Sequence, residues 1–235
     1  MTAENQPLGD PPVGEAVSTF PASRPRRLRR NGQYVNLAPL SLMRHGNTLW
    51  ESTHSKDKER LWCYLAEGPF ADRAAFDAFL VRKTSSEDPL FFAILDQHGH
   101  AIGFESLMRI EPVHRCIEIG NILFSPALQR TPGGTEAIFL LMGYAFDDLG
   151  YRRLEWKCDA LNAPSRRAAL RYGFTFEGIF RKHMVVKGRN RDTAWFSMLE
   201  SEWRQCRAAF ERWLNPNNFD PEGKQRFSLA ALRAQ

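Results

Sequence analysis

The spacing of apolar residues predicts helices first, then antiparallel strands, then alternating strands and helices. In residues 72–83 the side chains of Phe76, Phe79 and Leu80 recur at helical intervals and share one face. From Leu90 onward the apolar period drops to two, which is typical of strands. The predicted helices span residues 43–54, 56–65, 72–83, 135–149, 162–172 and 200–214. The predicted strands span residues 34–40, 90–95, 101–109, 115–124, 153–158, 174–186 and 193–199.

This order of elements predicts a mixed α/β domain built over a central sheet and extending over about residues 34–200. The short strand at residues 34–40 ends near Pro39 and is expected at an edge of the sheet. Residues 1–31 are rich in Pro, Gly, Ala and Arg, lack periodicity, and are predicted to form a disordered lead. Residues 201–235 are predicted to form a C-terminal helical extension, because an apolar face continues into them.

The net charge of +5 is partly concentrated in the lead. Five arginines lie within residues 24–30, and without residues 1–30 the net charge falls to +3. A domain with so little excess charge does not require nucleic acid as a partner. A solvated arginine-rich tail is favoured over a nucleic-acid contact through the same cluster.

The cysteines and the hydropathy pattern favour a cytoplasmic protein. Cys63, Cys116, Cys158 and Cys206 are not paired at metal-ligand spacing and form no C-x-x-C motif, so no metal site is predicted. Reduced and mostly buried thiols are the expected state. The sequence has no apolar run long enough to predict a membrane span, and residues 1–30 contain no apolar segment typical of a secretory signal.

A glycine-containing loop between the strand ending at Phe124 and the long helix is the best candidate binding site. Unpaired amides and the dipole at a helix start attract anions, and a nearby arginine adds a cation for phosphate. The threonine at the start of the predicted helix either caps the helix or donates to an oxygen. Tight turns also need glycine for structural reasons, so this pattern alone leaves both interpretations open. The loop and helix start contain Gln129, Arg130, Thr131, Gly133, Gly134 and Thr135.

Together with a second motif, this loop resembles the pyrophosphate loop of the GCN5-related N-acetyltransferases (GNAT). Gln129 and Gly134 match the ends of the family pattern Q/R-x-x-G-x-G/A, whereas Pro132 replaces its first glycine and removes one N–H donor. The resemblance covers about residues 37–199. It implies the α/β GNAT fold, with a mostly antiparallel mixed sheet, helices on both faces and two splayed central strands. The N-x-x-S…GF…EG motif of the RimJ/RimL-like branch is matched by Asn162, Ser165, Gly173, Phe174, Glu177 and Gly178.

The resemblance implies that acetyl-CoA is the cofactor and enters the gap between the splayed strands. Its pantetheine pairs with strand backbone in the family, here that of Leu123, Phe124 and Ser125, and an amide near Phe124 would polarise the thioester carbonyl. Asn162 and Ser165 are expected to flank the sulfur. The diphosphate is expected on the loop and helix start, at Gln129, Arg130, Thr131, Gly133, Gly134 and Thr135.

The resemblance also implies two catalytic residues. Glu118 lies 11 residues before the loop glutamine, at the distance of the general base in the histone-acetyltransferase branch. Strand alternation puts it opposite Ile117 and Ile119. The alternative is a structural glutamate held by a neighbouring strand. Ser165 is expected to assist the leaving thiolate, because the tyrosine that many members carry four residues later is Ala169 here; alternatively, Ser165 only caps its helix.

Two further features keep the function partly open. Met184 stands where RimL-like relatives carry a glutamate, and the adjacent His183 is expected to face the other side of its strand. The turn at residues 187–192 either shapes the acceptor cleft or is simply an exposed turn.

These observations predict an enzyme that moves an acetyl group from acetyl-CoA to a primary amine by direct attack. The acceptor is a protein N-terminus or a small amine. The alternative is an acyl-CoA-binding sensor without turnover, which the missing tyrosine and the methionine keep open. A homodimer through residues 201–235 is a further option, although packing of this extension on its own domain is favoured.

Overall fold

The computed structural model describes residues 11–235, so the first ten residues of the predicted lead lie outside the described residues. A π-helical turn, Tyr144–Asp148, extends the fourth helix, and a 3₁₀ turn, Pro216–Asn218, follows the sixth. The strands are β1 (Arg30–Asn31), β2 (Asn36–Pro39), β3 (Leu90–Leu95), β4 (Ala101–Glu111), β5 (Cys116–Phe124), β6 (Arg153–Asp159), β7 (Thr175–Val186) and β8 (Arg189–Leu199). The helices are α1 (Leu42–Thr53), α2 (Lys58–Leu61), α3 (Arg73–Ser85), α4 (Pro132–Gly143), α5 (Ala163–Tyr172), α6 (Glu200–Leu214) and α7 (Leu229–Arg233).

The strands form one sheet in the order β1-β2-β3-β4-β5-β6-β8-β7. Neighbouring strands are antiparallel except for β5 and β6, which are parallel. The ladder between these two joins only Cys116–Glu118 to Arg153–Glu155. Beyond that ladder β5 continues to Phe124 and β6 to Asp159 without pairing to each other, so the predicted mixed sheet with splayed central strands is confirmed.

Each face of the sheet carries its own apolar core. On one face α1 and α3 cover β2–β4, and Trp62, Phe76 and Phe104 fill the space between them. On the other face α4, α5 and α6 pack together, with the rings of Phe139 and Phe210 stacked at 5.2 Å between centroids. On the face that carries α1 and α3, no helix of the described residues covers β5, β6 and β8, because α1 and α3 pack on β3 and β4. This part of the sheet is called the uncovered face below.

A bulge in β5 marks the place where the central strands separate. Phe104 pairs with Leu123 and Ser106 pairs with Gly120, so two residues of β5 lie opposite Glu105 alone. One of them, Asn121, has a φ of 51°. A bulge bends its strand and increases the local twist, which turns the end of β5 away from β6.

Several element boundaries differ from the prediction. The strand predicted at an edge is β2, which is paired on both sides because Arg30–Asn31 forms the outer strand β1. The helix predicted over residues 56–65 is the single turn α2. The long helix begins three residues before the predicted start, because the Pro-Gly-Gly segment that resembles a loop in sequence already has helical geometry.

Parts of the predicted lead and tail contact the folded core. The amide of Ala22 donates to the carbonyl of Pro112 over 3.0 Å, and Arg30 forms an ion pair with Asp148. Near the other end, Leu229 and Leu232 are buried. Packing of the tail on its own domain is the use that the sequence favoured for this extension. The contacts of the lead were not predicted, because residues 1–31 lack hydrophobic periodicity and the Ala22 contact is a backbone hydrogen bond. Among the residues that the structure describes, every helix is too short or too polar to cross a membrane.

Candidate active site

The loop after β5 leads into α4 and is stabilised by hydrogen bonds of its own side chains. Thr131 is the N-cap, and its hydroxyl accepts from the amide of Gly134 over 3.2 Å. Pro132 occupies the first helical position, where its missing N–H costs nothing because that amide would have no partner within the helix. The expected loss of a donor at Pro132 is therefore offset by a preorganised helix start. A Cβ on Gly134 would lie 2.8 Å from the carbonyl oxygen of Leu128, so only glycine fits this close approach.

The remaining loop residues have distinct positions. Gln129 donates through Nε2 to the carbonyl of Phe124 over 2.9 Å and so ties the loop to the end of β5. Arg130 is exposed, with a φ of 61°. Thr135 does not cap the helix: it is buried, and its hydroxyl accepts from Nη1 of Arg171 over 3.0 Å. This contact connects the first turn of α4 to the end of α5.

The backbone at the end of β5 is directed into the gap between the splayed strands. The amide of Ser125 donates to the carbonyl of Ile102 on β4 over 3.0 Å. Successive strand amides point in opposite directions, so the amide of Phe124 points toward β6, beyond the last residue pair of that ladder. The hydroxyl of Ser125 is buried and has no hydrogen-bond partner among the described residues. An edge with such unused polar groups fits the amide-bearing pantetheine arm of coenzyme A.

The start of α5 lies across this gap. The side-chain oxygen of Asn162 accepts from the amide of Ser165 over 3.1 Å, so Asn162 rather than Ser165 caps the helix. The indole of Trp156 donates to the hydroxyl of Ser165 over 3.0 Å. A hydroxyl that accepts from an indole can still donate its own proton, and the neighbouring thiol of Cys158 is one group within its reach. Ala169, which replaces the tyrosine of many relatives, is fully buried.

Glu118 lies on the uncovered face of the sheet and is held between two cations. Its Oε2 is 2.5 Å from Nη1 of Arg109 and 2.9 Å from Nζ of Lys157. The side chain of Glu118 is only 3% exposed. The network continues from Lys157 through Glu155 to Arg153 on β6. Burial raises the pKa of Glu155, but hydrogen bonds from Lys157 and Arg153 outweigh it and leave that pKa below its ordinary value.

Sequence reasoning did not single out Arg109 or Lys157. A usable signal existed in β6, where Arg153, Glu155 and Lys157 alternate with apolar residues and therefore share one face. A lysine on this face of β6 can form an ion pair with an acid on the neighbouring β5, as Lys157 does with Glu118. Arg109, the partner of Glu118 on β4, gives no such signal. It lies at an irregular point of the β4–β5 ladder, where its backbone has a φ of 47°, so regular strand alternation does not place its side chain.

Aromatic side chains extend this surface toward β7. Nζ of Lys157 lies 3.9 Å from the ring centroid of Trp195, and the ring of Phe180 lies 4.5 Å from that of Trp195. Nδ1 of His183 is 2.9 Å from the hydroxyl of Thr193. The uncovered face thus runs from the buried Glu118 to an aromatic cluster on the last two strands.

Two contacts bridge the uncovered face. Nζ of Lys187, in the turn between β7 and β8, donates to the carbonyl of Trp62 over 2.8 Å, and its pKa is lowered by burial. The hydroxyl of Tyr64 donates to the carbonyl of Leu161 over 3.1 Å. The turn after α2 is therefore tied to both the β7–β8 turn and the loop before α5, and these ties restrict access to Glu118.

Glu105 is a buried acid on β4 that sequence reasoning missed, since no motif includes it. It is fully buried, and neither carboxyl oxygen has a hydrogen-bond partner among the described residues. Burial raises its pKa to about 8, so the carboxyl is uncharged at neutral pH. It lies opposite the bulge of β5, at the foot of the gap between the central strands.

Comparison with known proteins agrees with this geometry. The family model described as an acetyltransferase (GNAT) domain matches residues 41–175. The chain is similar to a GCN5-related N-acetyltransferase from Brucella melitensis, with 50% identity, a TM-score of 0.90, and coverage of 92% of this chain and 98% of that one. It is also similar to a structure from Chromobacterium violaceum described as a GNAT-family acetyltransferase, with 41% identity, a TM-score of 0.76, and coverage of 85% and 100%.

One curated relative has a name that links it to ribosomal acetylation. YdaF of Bacillus subtilis, which carries a provisional name as a ribosomal N-acetyltransferase, is 28% identical over 63% of this chain and 82% of its own length. The chain belongs to the GNAT family of acetyltransferases, and it is an acyltransferase of the acetyl-CoA-dependent kind.

Proposed function

We propose that this protein transfers an acetyl group from acetyl-CoA to a primary amine by direct attack. One observation carries the proposal: β5 and β6 pair over only three residue pairs and then diverge beside the start of α4. A gap between parallel strands next to unpaired helix amides accommodates a long, flexible ligand with a phosphorylated end.

Each part of the gap matches one part of coenzyme A. The start of α4 provides the amide of Gly133, and the exposed Arg130 provides a cation for the diphosphate. Gly134, whose amide is capped by Thr131, lets the backbone approach the ligand closely. The amide of Phe124 and the buried hydroxyl of Ser125 provide donors for the pantetheine and the thioester oxygen. Gln129 holds this end of β5 in place through its hydrogen bond to the carbonyl of Phe124. The other residues that we propose to contact the cofactor are Leu123, Thr131, Thr135, Asn162 and Ser165.

Acetyl-CoA supplies the activated acetyl group, whose bond to sulfur breaks as a bond to the amine nitrogen forms. Glu118 accepts the proton that the amine loses, and Arg109 and Lys157 hold its carboxylate in a fixed orientation. Ser165 donates a hydrogen bond to the departing thiolate, because the indole of Trp156 already occupies its acceptor side.

The acceptor is a primary amine on a chain end or a small molecule. Lys187 and Tyr64 bridge the uncovered face, so the amine approaches Glu118 through a restricted opening rather than across an open surface. The provisional name of YdaF as a ribosomal enzyme supports a protein N-terminus as the acceptor.

The alternative is binding of acyl-CoA without turnover. It is favoured by the two cations that already occupy the Glu118 carboxylate, and by the buried Ala169 in place of a tyrosine. Enzyme and sensor differ in one measurable outcome, the release of free thiol.

The test is to mix the protein with acetyl-CoA and a panel of amines, including peptides with free N-termini, and to follow thiol release. The enzyme proposal predicts amine-dependent thiol release and an acetylated product 42 Da heavier, about one acetyl group by mass. The Ser165→Ala variant should turn over about 10-fold more slowly, because the departing thiolate loses a hydrogen-bond donor. Tight CoA binding with no thiol released by any amine would support the sensor instead.

A further inference from the structure

We infer that the hairpin formed by β7 and β8 binds an acidic segment that follows the acceptor amine in a polypeptide. This hairpin, residues 178–193, is called the basic hairpin below. The inference rests on the proposed acetyltransfer and specifies the class of its acceptor. It concerns residues that the proposed chemistry does not use.

The basic hairpin has an excess of positive charge on an exposed surface. It carries five cations, and its single acid is Asp192. That acid accepts from the backbone amide of Lys182 and the side-chain amide of Asn190, and hydrogen bonds together with the nearby Arg181 and Lys182 lower its pKa. One carboxylate balances one of the five cations, so the hairpin keeps a net charge of about +4. Four of the cations are exposed and one is half-buried: Arg181, Lys182, Lys187, Arg189 and Arg191.

These cations differ from those that surround Glu118. Arg109 and Lys157 are each paired with Glu118, and Arg153 is paired with Glu177 at 2.5 Å. By contrast, none of the ion pairs among the described residues involves a cation of the basic hairpin. Unpaired like charges held on one hairpin repel each other, and an anionic ligand relieves that repulsion.

The basic hairpin is continuous with the proposed active site. From Glu118 the contacts run through Lys157 to the ring of Trp195 at 3.9 Å and on to the ring of Phe180 at 4.5 Å. Lys187, at the tip of the hairpin, spans the opening to Trp62. A chain whose terminal amine reaches Glu118 therefore has its following residues directed over this hairpin.

The surface suits a polypeptide better than a nucleic acid. Exposed apolar side chains alternate with the cations, with Phe180 at 52%, Met184 at 36% and Val185 at 81% exposure. Acidic peptides contain apolar side chains that pack on such positions, whereas a sugar-phosphate backbone does not. In addition, β7 is the last strand of the sheet, and its outer backbone groups are available to pair with an extended chain.

The experiment compares two peptides of equal length with the same N-terminal residue. One has aspartates at the following positions and the other has asparagines. The inference predicts that kcat/KM is at least 10-fold higher for the aspartate peptide at low salt, and that the difference shrinks as ionic strength rises. The variant R181Q/K182Q/R189Q should lose this preference, while its KM for acetyl-CoA and its kcat with a small amine stay unchanged.

A matched control removes the same charge from the opposite side of the molecule. The variant R204Q/K224Q/R226Q alters three exposed cations on and after α6 and should keep the preference for the aspartate peptide. Unchanged melting temperatures show that both triple variants fold.

Three results would overturn the inference. The first is equal kcat/KM for the two peptides, or acetylation of small amines only, either of which leaves the proposed acetyltransfer intact. The second is binding of single-stranded RNA that is lost in R181Q/K182Q/R189Q while the peptides remain equivalent, which makes the hairpin a nucleic-acid surface. The third is absence of thiol release with every amine, which removes the proposed function together with this inference.

Discussion

Lys157 and Glu118 form a buried ion pair, with 2.9 Å between Nζ and Oε2 and 3% exposure of each side chain. The pair joins β5 to β6 next to the last residue pair of their short ladder. It therefore lies where the two strands begin to separate, and it fixes the carboxylate that we propose as the base. Because both groups are so far from water, removing one of them leaves the other as an uncompensated buried charge.

Removing Lys157 should destabilise the fold. The variant K157M leaves Glu118 buried with only the half-exposed Arg109 as a partner, so the free energy of unfolding should fall by about 3 kcal/mol or more. Urea denaturation measures this loss. The matched variant R109M removes the more exposed partner and should cost about 1 kcal/mol. Equal losses of unfolding free energy in K157M and R109M would show that burial does not make the Lys157–Glu118 ion pair more important for stability than the Arg109–Glu118 pair.

Replacing Glu118 should affect turnover more than cofactor binding. E118Q keeps the shape of the side chain but cannot accept a proton, so kcat should fall by about 100-fold or more with little change in the Kd for CoA. The control E155Q removes another acid that contacts Lys157, and its kcat should stay within about 3-fold of the wild type. A similar loss in both variants would assign Glu118 a structural role within the ion network.

The helix start should tolerate no side chain at Gly134. A Cβ at this position would lie 2.8 Å from the carbonyl oxygen of Leu128, which belongs to the backbone of the loop. G134A should therefore displace the loop and weaken CoA binding by about 10-fold or more, as measured by calorimetry. The control G143A places its Cβ no closer than 3.5 Å to a neighbouring atom and should leave the affinity unchanged.

Glu105 should make stability depend on pH. Burial raises its pKa in the folded protein to about 8, from an ordinary value of 4.5. The folded state then binds more protons than the unfolded state between these values, so the stabilisation is complete below about pH 4.5 and is lost as the pH rises toward 8. This group contributes a decrease of at most about 1.4 kcal/mol per pH unit to the unfolding free energy.

The variant E105Q removes this dependence. Its unfolding free energy should exceed that of the wild type at pH 8, and the difference should disappear near pH 5. Chemical denaturation at several pH values measures both curves. The exposed Glu111 on the same strand provides the control, since E111Q should follow the wild-type curve. A pH-independent difference between E105Q and the wild type would show that Glu105 does not titrate in this range.

The sequence predicts the family and sheet because both depend on local patterns. Period-two stretches located most of the strands, with β3 reproduced at Leu90–Leu95. The glycine loop located the start of α4 to within three residues. Glu118 could be assigned by alternation to the face opposite Ile117 and Ile119, but its nearly complete burial could not be predicted from that assignment.

What the sequence does not predict depends on long-range pairing. Lys157 and Arg109 reach Glu118 from different strands, so their spacing in the chain carries no signal for the cluster. The bridge from Lys187 to Trp62 joins residues 125 positions apart. Glu105 belongs to no motif and has no hydrogen-bond partner among the described residues. Its effect on the pH dependence of stability follows from its complete burial, which only the structure shows.

The account depends on coenzyme A occupying the gap between β5 and β6, and a crystal structure with acetyl-CoA tests this directly. We expect the pantetheine beside the backbone of Phe124, the diphosphate at the amide of Gly133 and close to Gly134, and the sulfur within reach of the Ser165 hydroxyl. Density for the ligand at any other place, or continuous β5–β6 pairing with the ligand excluded from the gap, would contradict the account.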